Sequence, residues 1–331
     1  MTRHLLSLSL VPALALALPA ADWARFRGPT GSGSSAEKGL PAEWGAKAGV
    51  AWRAEMPGPG TSSPVFFGDR IFITCYTGYN VPGKAGGQQA DLRRHLLALD
   101  RKTGKMLTNT PVEAKLPEQE RIRDNHGYAS STPAVDAERV YCFFGKSGAV
   151  AFDHTGKQLW QADAGTKLSD WGSAASPVLH GELVFINASV ESQTLYALDK
   201  KTGKEKWKAT GIRESWNTPI VVTNKDGRDE LVVAVQGKVL AFDPATGAAL
   251  WSCATDIGWY MVPSLPWYTF VVPSGVLRAP IRHRFHESSA SAPQPSFFIH
   301  MSVIAVLLRF DVHYCSITER PSEQALQDMQ Y

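Results

Sequence analysis

The stretch Ala197-Leu198-Asp199-Lys200-Lys201-Thr202-Gly203, followed four residues later by Trp207, decides the fold. An Asp side chain can cap the turn that follows it, and Gly adopts a positive φ without a Cβ clash, so the phrase predicts a β-hairpin. The phrase recurs at Ala241–Gly247 with Trp251, one residue shorter at Ala151–Gly156 with Trp160, and at Ala98–Gly104, where Thr108 replaces the Trp.

An apolar strand that opens with a small residue and a proline precedes each copy of the phrase. Pro133, Pro177, Pro219 and Pro263 lie 44, 42 and 44 residues apart, whereas Pro64 precedes Pro133 by 69 residues. Polar insertions account for the longer first interval. Proline is tolerated at this place if the strand is an edge strand, as the strand that lines a central channel would be.

Each repeat contains four short β-rich runs. In one repeat they are Ala174–Leu179, Glu182–Asn187, Thr194–Asp199 and Glu205–Ala209. A four-stranded unit of this length matches one blade of a β-propeller. The sequence therefore predicts an all-β propeller with four or five recognisable blades.

The recurring tryptophans predict how the blades associate. A single small sheet leaves both faces partly apolar, and an indole on its outer strand would bury about 200 Å² against the next sheet. We therefore interpret Trp160, Trp207 and Trp251 as residues that dock one blade on the next. The alternative is a set of aromatic side chains that stack on a ligand.

Composition and charge narrow the function classes. The chain has 331 residues, with 34 Lys and Arg against 31 Asp and Glu. A net charge of +3 is too balanced to indicate nucleic-acid binding, which needs a concentrated basic face. Nucleic acid is therefore not an expected partner.

The N-terminus predicts export. Arg3 and His4 precede an apolar run from Leu5 to Leu18, and small residues follow up to Ala21. This pattern is typical of a secretory signal peptide over residues 1–21, and the run is shorter than the roughly 20 residues that a membrane span needs. A retained N-terminal anchor is the alternative. We expect a mature chain in the periplasm or outside the cell, with association with the outer membrane as an open alternative and no transmembrane span.

The spacing of the four cysteines does not indicate a disulfide framework. Cys75, Cys142, Cys253 and Cys315 form no Cys-x-x-Cys pair. Cys75 and Cys142 occupy similar places in two strand-like runs and are typical of small buried hydrophobic residues. A disulfide between these two is the alternative.

Taken together, the two phrases resemble the PQQ-like, or quinoprotein-type, β-propeller repeat, which occurs in quinoprotein alcohol dehydrogenases and in the assembly scaffold BamB. Asp22–Pro29 and Gly58–Pro64 also resemble secreted PQQ-like repeat proteins of planctomycete-type bacteria. The resemblance covers residues 22–264. It implies a ring of about seven or eight blades, so this chain would hold an incomplete ring.

The resemblance implies a fold more strongly than an activity, because scaffolds and enzymes share this repeat. The family's enzymes carry adjacent cysteines, a Trp beneath the quinone, and a calcium site of Glu, Asn and Asp. This sequence has no adjacent cysteines and no convincing match to the calcium set. We therefore predict no catalytic residue, no metal site and no cofactor. PQQ and calcium belong only to the alternative that the chain is a dehydrogenase.

The repeat stops at Ser264. Residues 265–331 contain no Lys, only Gly275 among glycines and four of the nine His. Two explanations remain open for this segment, a divergent or disordered tail and a change of reading frame. The predicted domains are thus a signal peptide at 1–21, propeller repeats at 22–264 and a tail at 265–331.

An aromatic residue lies just before each innermost strand, at Tyr128, Trp171, Trp216 and Trp259. In a ring these residues would gather at one mouth of the channel, where they could stack a sugar, a quinone or a peptide. Sealing of neighbouring blades is the structural alternative. Polar candidates near the same edge are Asn125, His126, Arg213 and Glu214.

Two functions follow from these patterns. The first is a non-catalytic extracytoplasmic scaffold or ligand-binding module, whose partner would be an envelope or extracellular protein, a small ligand or a glycan. The alternative is a PQQ-dependent dehydrogenase that uses the channel mouth as its cofactor site.

Overall fold

The computed structural model describes residues 22–255, apart from 39, 41–42, 44, 46–48, 85, 121, 123–126 and 214, together with residues 258, 262 and 264. The predicted signal peptide at 1–21 and tail at 265–331 lie outside the described residues. So do four candidate mouth residues, which are Asn125, His126, Glu214 and Trp259.

Sixteen strands form four antiparallel sheets, each with four strands in chain order. Blade 1 consists of β1 (Val65–Phe67), β2 (Arg70–Thr77), β3 (Arg93–Asp100) and β4 (Met106–Glu113). Blade 2 consists of β5 (Ala134–Val135), β6 (Arg139–Phe143), β7 (Ala149–Asp153) and β8 (Gln158–Ala162).

Blade 3 consists of β9 (Val178–His180), β10 (Leu183–Ala188), β11 (Thr194–Asp199) and β12 (Glu205–Thr210). Blade 4 consists of β13 (Ile220–Thr223), β14 (Asp229–Val235), β15 (Lys238–Phe242) and β16 (Ala249–Ala254). The helix α1 (Ser189–Ser192) joins β10 to β11. The predicted all-β propeller fold is confirmed, and the four described sheets do not close into a ring.

The Ala-x-Asp phrase forms the turn between the third and fourth strands of each blade. Asp199 Oδ1 accepts hydrogen bonds from the backbone N–H of Lys201 at 3.0 Å and of Thr202 at 2.9 Å. Gly203 closes the turn with φ +70°, a region that L side chains rarely adopt. The Ala of the phrase lies directly opposite the Trp, as in the pair Ala197 and Trp207, so the small side chain leaves room for the indole.

The indole of one blade lies on the turn of the next. Trp207 of blade 3 packs on Gly247 of blade 4, where an added Cβ would lie 2.6 Å from the ring. Its Nε1–H donates to the Pro244 carbonyl at 3.0 Å. Trp160 of blade 2 contacts blade 3 in the same way, over Gly203 and with its Nε1–H on the Lys200 carbonyl at 2.9 Å.

A third indole, Trp52, repeats this contact on blade 1. It packs on Gly104 and donates to the Arg101 carbonyl at 3.1 Å. The sequence signal for it is its spacing, because Trp52 precedes Pro64 by 12 residues, as Trp207 precedes Pro219. Trp251 on β16 instead donates to Glu230 Oε2 of its own sheet at 2.7 Å, and no fifth sheet is among the described residues.

Hydroxyl side chains link the openings of the innermost strands. The backbone N–H of Ser63 donates to Thr132 Oγ1 at 2.9 Å, and Thr132 N–H donates to Ser176 Oγ at 3.0 Å. Ser176 N–H in turn donates to Thr218 Oγ1, and Thr218 N–H donates to Ser264 Oγ, both at 3.0 Å. Thr132, Ser176 and Thr218, which precede the prolines of blades 2, 3 and 4, are thus acceptors for the previous blade. In the fifth repeat the acceptor is Ser264. The proline spacing indicates Val262 for this place, two residues earlier.

The N-terminal segment Asp22–Gly33 crosses the innermost strands. Trp23 exchanges backbone hydrogen bonds with Phe66 of β1 at 3.1 and 3.0 Å, and Val135 N–H of β5 donates to the Ala24 carbonyl at 2.8 Å. Further along, the segment lines a small pocket with the openings of β9 and β13. It therefore covers strand edges that would otherwise carry unpaired backbone groups.

Cys75 and Cys142 are buried free thiols. Burial raises the pKa of the Cys75 thiol to about 11. The interpretation of both as small buried hydrophobic residues is confirmed, and the disulfide between them is not formed.

Candidate functional site at the channel mouth

The loops that precede the innermost strands hold three of the predicted aromatic residues. Tyr128 is buried against Tyr76 of blade 1, with ring centroids 5.3 Å apart, and its hydroxyl donates to the Gln119 carbonyl at 2.7 Å. Burial raises the pKa of the Tyr128 hydroxyl to about 12. This side chain lies between the first two blades, and little of its ring faces solvent.

Trp216 and Trp171 lie around the third blade. Trp216, which precedes β13, is half-buried and donates its Nε1–H to the Gly172 carbonyl at 2.8 Å, so it joins the openings of blades 3 and 4. Trp171 lies next to that glycine and is 39% exposed. Arg213 is exposed, and its carbonyl accepts from Gln236 N–H at 3.2 Å. The buried Tyr128 thus differs from the exposed Trp171, and the role of these aromatic residues in ligand binding stays a prediction.

A cleft at the same mouth contains buried charges that the sequence patterns did not indicate. Arg94 and Glu118 form an ion pair with Nη2 and Oε2 2.5 Å apart, and both side chains are almost fully buried. Arg94 also donates to the Tyr128 carbonyl at 2.9 Å and to Ser147 Oγ at 3.0 Å. The ion pair attaches the loop after β4 to β3 of blade 1, and the bond to Ser147 links Arg94 to blade 2.

Three further charged residues line this cleft, namely Lys146, Lys167 and Glu191. Lys146 is buried, and its Nζ donates to the Pro117 carbonyl at 2.5 Å. Glu191 in α1 is 3% exposed and accepts a hydrogen bond from Ser173 Oγ. Glu191 gave no sequence signal, because its burial depends on loops from three blades.

Two loops beside the cleft expose large apolar side chains. Leu116, on the loop 114–120 after β4, is 45% exposed, and Leu168, on the loop 163–173 before β9, is 37% exposed. The loops are joined by a hydrogen bond from Gln119 Nε2 to Asp170 Oδ1 at 2.5 Å and by the ion pair between Lys115 and Asp163 at 3.0 Å. We call Leu116, Leu168 and Trp171 the mouth surface.

The part of the chain that the structure describes contains no group of three His, Cys, Asp or Glu side chains arranged to hold a metal ion. Nor does that part contain a helix with the length and apolar character that a membrane crossing requires.

Comparison with known families decides the relationship. The profile of the family described as outer membrane protein assembly factor BamB matches residues 45–266, which is about two thirds of the chain. The chain belongs to this BamB family. Comparison with curated proteins gives no match.

Solved structures with a similar fold include both BamB and dehydrogenases. BamB from Moraxella catarrhalis is 16% identical, with a TM-score of 0.43, and the match covers 62% of this chain and 55% of that one. Quinohemoprotein alcohol dehydrogenase from Comamonas testosteroni is 12% identical, with a TM-score of 0.49, and the match covers 72% of this chain and 41% of that one. A quinohemoprotein alcohol dehydrogenase from Pseudomonas putida is 16% identical, with a TM-score of 0.42 and coverages of 64% and 36%.

The chain thus spans about half the length, or less, of the solved structures it resembles. At these identities the likeness concerns the fold alone.

Proposed function

We propose that this BamB-family chain is a non-catalytic extracytoplasmic scaffold that binds an envelope or extracellular protein through its mouth surface. The observation that carries the proposal is the exposure of Leu116, Leu168 and Trp171 on two loops that are tied to each other. Apolar side chains grouped on a surface are typical of protein-interaction sites. The N-terminal export pattern and the family's description support a location in the cell envelope.

The loops are suited to binding because they are held in place before a partner arrives. Gln119 and Lys115 join the first loop to the second, and the Arg94–Glu118 pair fixes the first loop to the sheets below it. A surface that is ordered in advance loses less conformational entropy on association than a mobile one. Tryptophan is also a frequent anchor residue in interfaces.

The test is capture of a partner by cross-linking from an envelope extract. We compare the wild type with the double variant Leu168→Asp and Trp171→Ser, which removes the apolar character of the second loop. The matched control is Leu107→Asp with Leu159→Asp, since these leucines on β4 and β8 are exposed to a similar extent, 43% and 42%.

We expect the wild type and the control to recover the same partner, and the mouth variant to recover at least about tenfold less, since losing one buried anchor often costs 2 kcal/mol or more. Circular dichroism checks that all three proteins are folded. Equal recovery by the mouth variant and the control would refute the proposal.

The dehydrogenase alternative has one observation in its favour, the buried Glu191 in the cleft, because perturbed carboxyl groups are common at catalytic sites. Tyr128 is buried, so its ring is not exposed for stacking on a quinone. Titration with PQQ and calcium, followed by quinone absorbance and alcohol-dependent dye reduction, separates the two functions. A positive result in both assays would replace the scaffold by an enzyme.

A further inference from the structure

The loop 163–173 carries two of the three residues of the mouth surface, and one residue of blade 3 holds it near both ends. The carbonyl of Glu191 accepts hydrogen bonds from the backbone N–H groups of Thr166 and Lys167, each at 3.1 Å. At the other end of the loop, Ser173 Oγ donates to Glu191 Oε1. The exposed Leu168 and Trp171 lie between these two attachments.

The attachment is close enough to require a glycine. Gly165 has φ +119°, and a Cβ added there would lie 2.3 Å from the Glu191 carbonyl oxygen. The loop backbone therefore lies directly on α1. A movement of Glu191 would be transmitted to the loop without an intervening side chain.

The Glu191 carboxyl has no cationic partner among the described residues. The charged groups that face the cleft from the surrounding elements are Arg94, Glu118, Lys146 and Lys167. Arg94 is paired with Glu118, and Lys146 donates to the Pro117 carbonyl. Burial of a carboxyl group that is only 3% exposed disfavours its ionised form.

We infer that Glu191 is a positioning residue for the mouth surface. The loop 163–173 stays on blade 3 while the Glu191 carboxyl is buried and protonated, and it is released when the ionised carboxyl moves out into solvent. The inference rests on the proposed function, because it assigns a pH-dependent control to the same binding surface. A partner would therefore bind more weakly as the pH rises.

The titration range supports the inference. Burial raises the pKa of Glu191 from 4.5 to about 7, with the charge of Glu118 acting in the same direction and the Ser173 hydrogen bond and Arg94 opposing it. Because the pKa of the closed state lies above that of the open, solvated state, the closed loop is favoured at low pH. This stabilisation decreases between 4.5 and about 7, and little of it remains above that range.

The test measures amide hydrogen exchange of residues 163–173 in the free protein, corrected for intrinsic exchange, between about pH 5 and about pH 8. We expect protection of this loop to fall about tenfold or more in the wild type across that range. In Glu191→Gln, whose neutral amide replaces the protonated carboxyl, protection should stay constant. The matched control Glu182→Gln removes an exposed carboxyl on the same blade and should behave as the wild type does.

A second variant keeps the test decisive if Glu191→Gln does not fold. Ser173→Ala removes the hydrogen bond that favours the ionised carboxyl, so the midpoint of the pH dependence should move to higher pH. An unchanged or lowered midpoint would overturn the inference, and so would a wild-type loop whose protection does not vary with pH.

The readout separates the two proposals because it needs no partner. A pH-dependent loop together with no captured protein would refute the scaffold and leave the role of Glu191 intact. A captured protein together with a pH-independent loop would refute the role of Glu191 and leave the scaffold proposal intact.

Discussion

The contact between blades 3 and 4 and the contact between blades 1 and 2 solve the same packing problem with different residues. In the first, Trp207 is 9% exposed and covers Gly247 of the next turn. In the second, Thr108 and Thr110 occupy the place of the indole. A Cβ added to Gly156 would lie 2.5 Å from Thr110 Oγ1. Thr110 Oγ1 donates to the Gly156 carbonyl at 2.9 Å.

The difference shows what the indole contributes. Both contacts retain the glycine turn and a polar bond to a turn carbonyl, but only Trp adds a large apolar area. The contact between blades 1 and 2 has an apolar cluster that includes three buried phenylalanines, Phe72, Phe144 and Phe152. Its turn is also one residue shorter, which suits a smaller side chain.

The largest effect should come from removing the indole. Trp207→Ala deletes a buried aromatic side chain between two sheets and should lower the free energy of unfolding by about 3 to 5 kcal/mol. Urea denaturation followed by circular dichroism measures this. Thr110→Ala, the equivalent change between blades 1 and 2, should cost about 1 kcal/mol. Equal losses for the two variants would contradict the distinction between the contacts.

The next effect concerns the turn on which the indole lies. Gly247→Ala places a Cβ 2.6 Å from the Trp207 ring and also strains a residue at φ +74°. Gly237→Ala is the matched control, because Gly237 has φ +75° and no neighbour within 4 Å of an added Cβ. The control should cost about 1 to 2 kcal/mol for the backbone alone, and Gly247→Ala about 1 to 3 kcal/mol more. Thermal unfolding of both variants checks the difference.

A smaller effect is expected in the hydroxyl chain that both contacts share. Ser176→Ala removes the acceptor of the buried Thr132 N–H and should cost about 1 to 3 kcal/mol. Loss of protection at the Thr132 amide in hydrogen exchange would accompany it. Retention of full protection at this amide would show that another acceptor replaces Ser176.

The smallest effects separate the two threonines. Thr108 Oγ1 is buried with no hydrogen-bond partner among the described residues, so Thr108→Val should be neutral or stabilising by up to about 1 kcal/mol. Thr110→Val loses the bond to the Gly156 carbonyl and should destabilise by about 1 kcal/mol. The denaturant midpoint should therefore fall for Thr110→Val and stay constant or rise for Thr108→Val, and a fall in both variants would argue against the assigned roles.

Local chemistry explains why most of the fold could be predicted. The Asp199 cap and the Gly203 turn act within one hairpin, so the sequence indicates them directly. The innermost strand was the least accurate element, since β9 begins at Val178 rather than at Ala174. Pro177 has no N–H to donate, and Ser176 next to it is engaged with the neighbouring blades.

The candidate site was harder to predict because it depends on contacts between distant segments. Tyr128, Trp171 and Trp216 share a place in the repeat, yet one is buried, one is exposed and one joins two blades. Their surroundings are set by the insertion after β4 and by α1, which the repeat pattern does not describe. Glu191 illustrates the same limit, since its sequence neighbours give no indication that it is buried.

The central claim is that an indole on one blade recognises the glycine turn of the next. The most direct measurement is the cost of Gly247→Ala in the Trp207→Ala background, obtained from urea denaturation of the four proteins in the cycle. If the claim holds, the methyl group of Gly247→Ala no longer contacts the indole ring in the Trp207→Ala background. The loss of unfolding free energy then falls to that of Gly237→Ala. An unchanged cost in the two backgrounds would show that the indole and the turn do not interact.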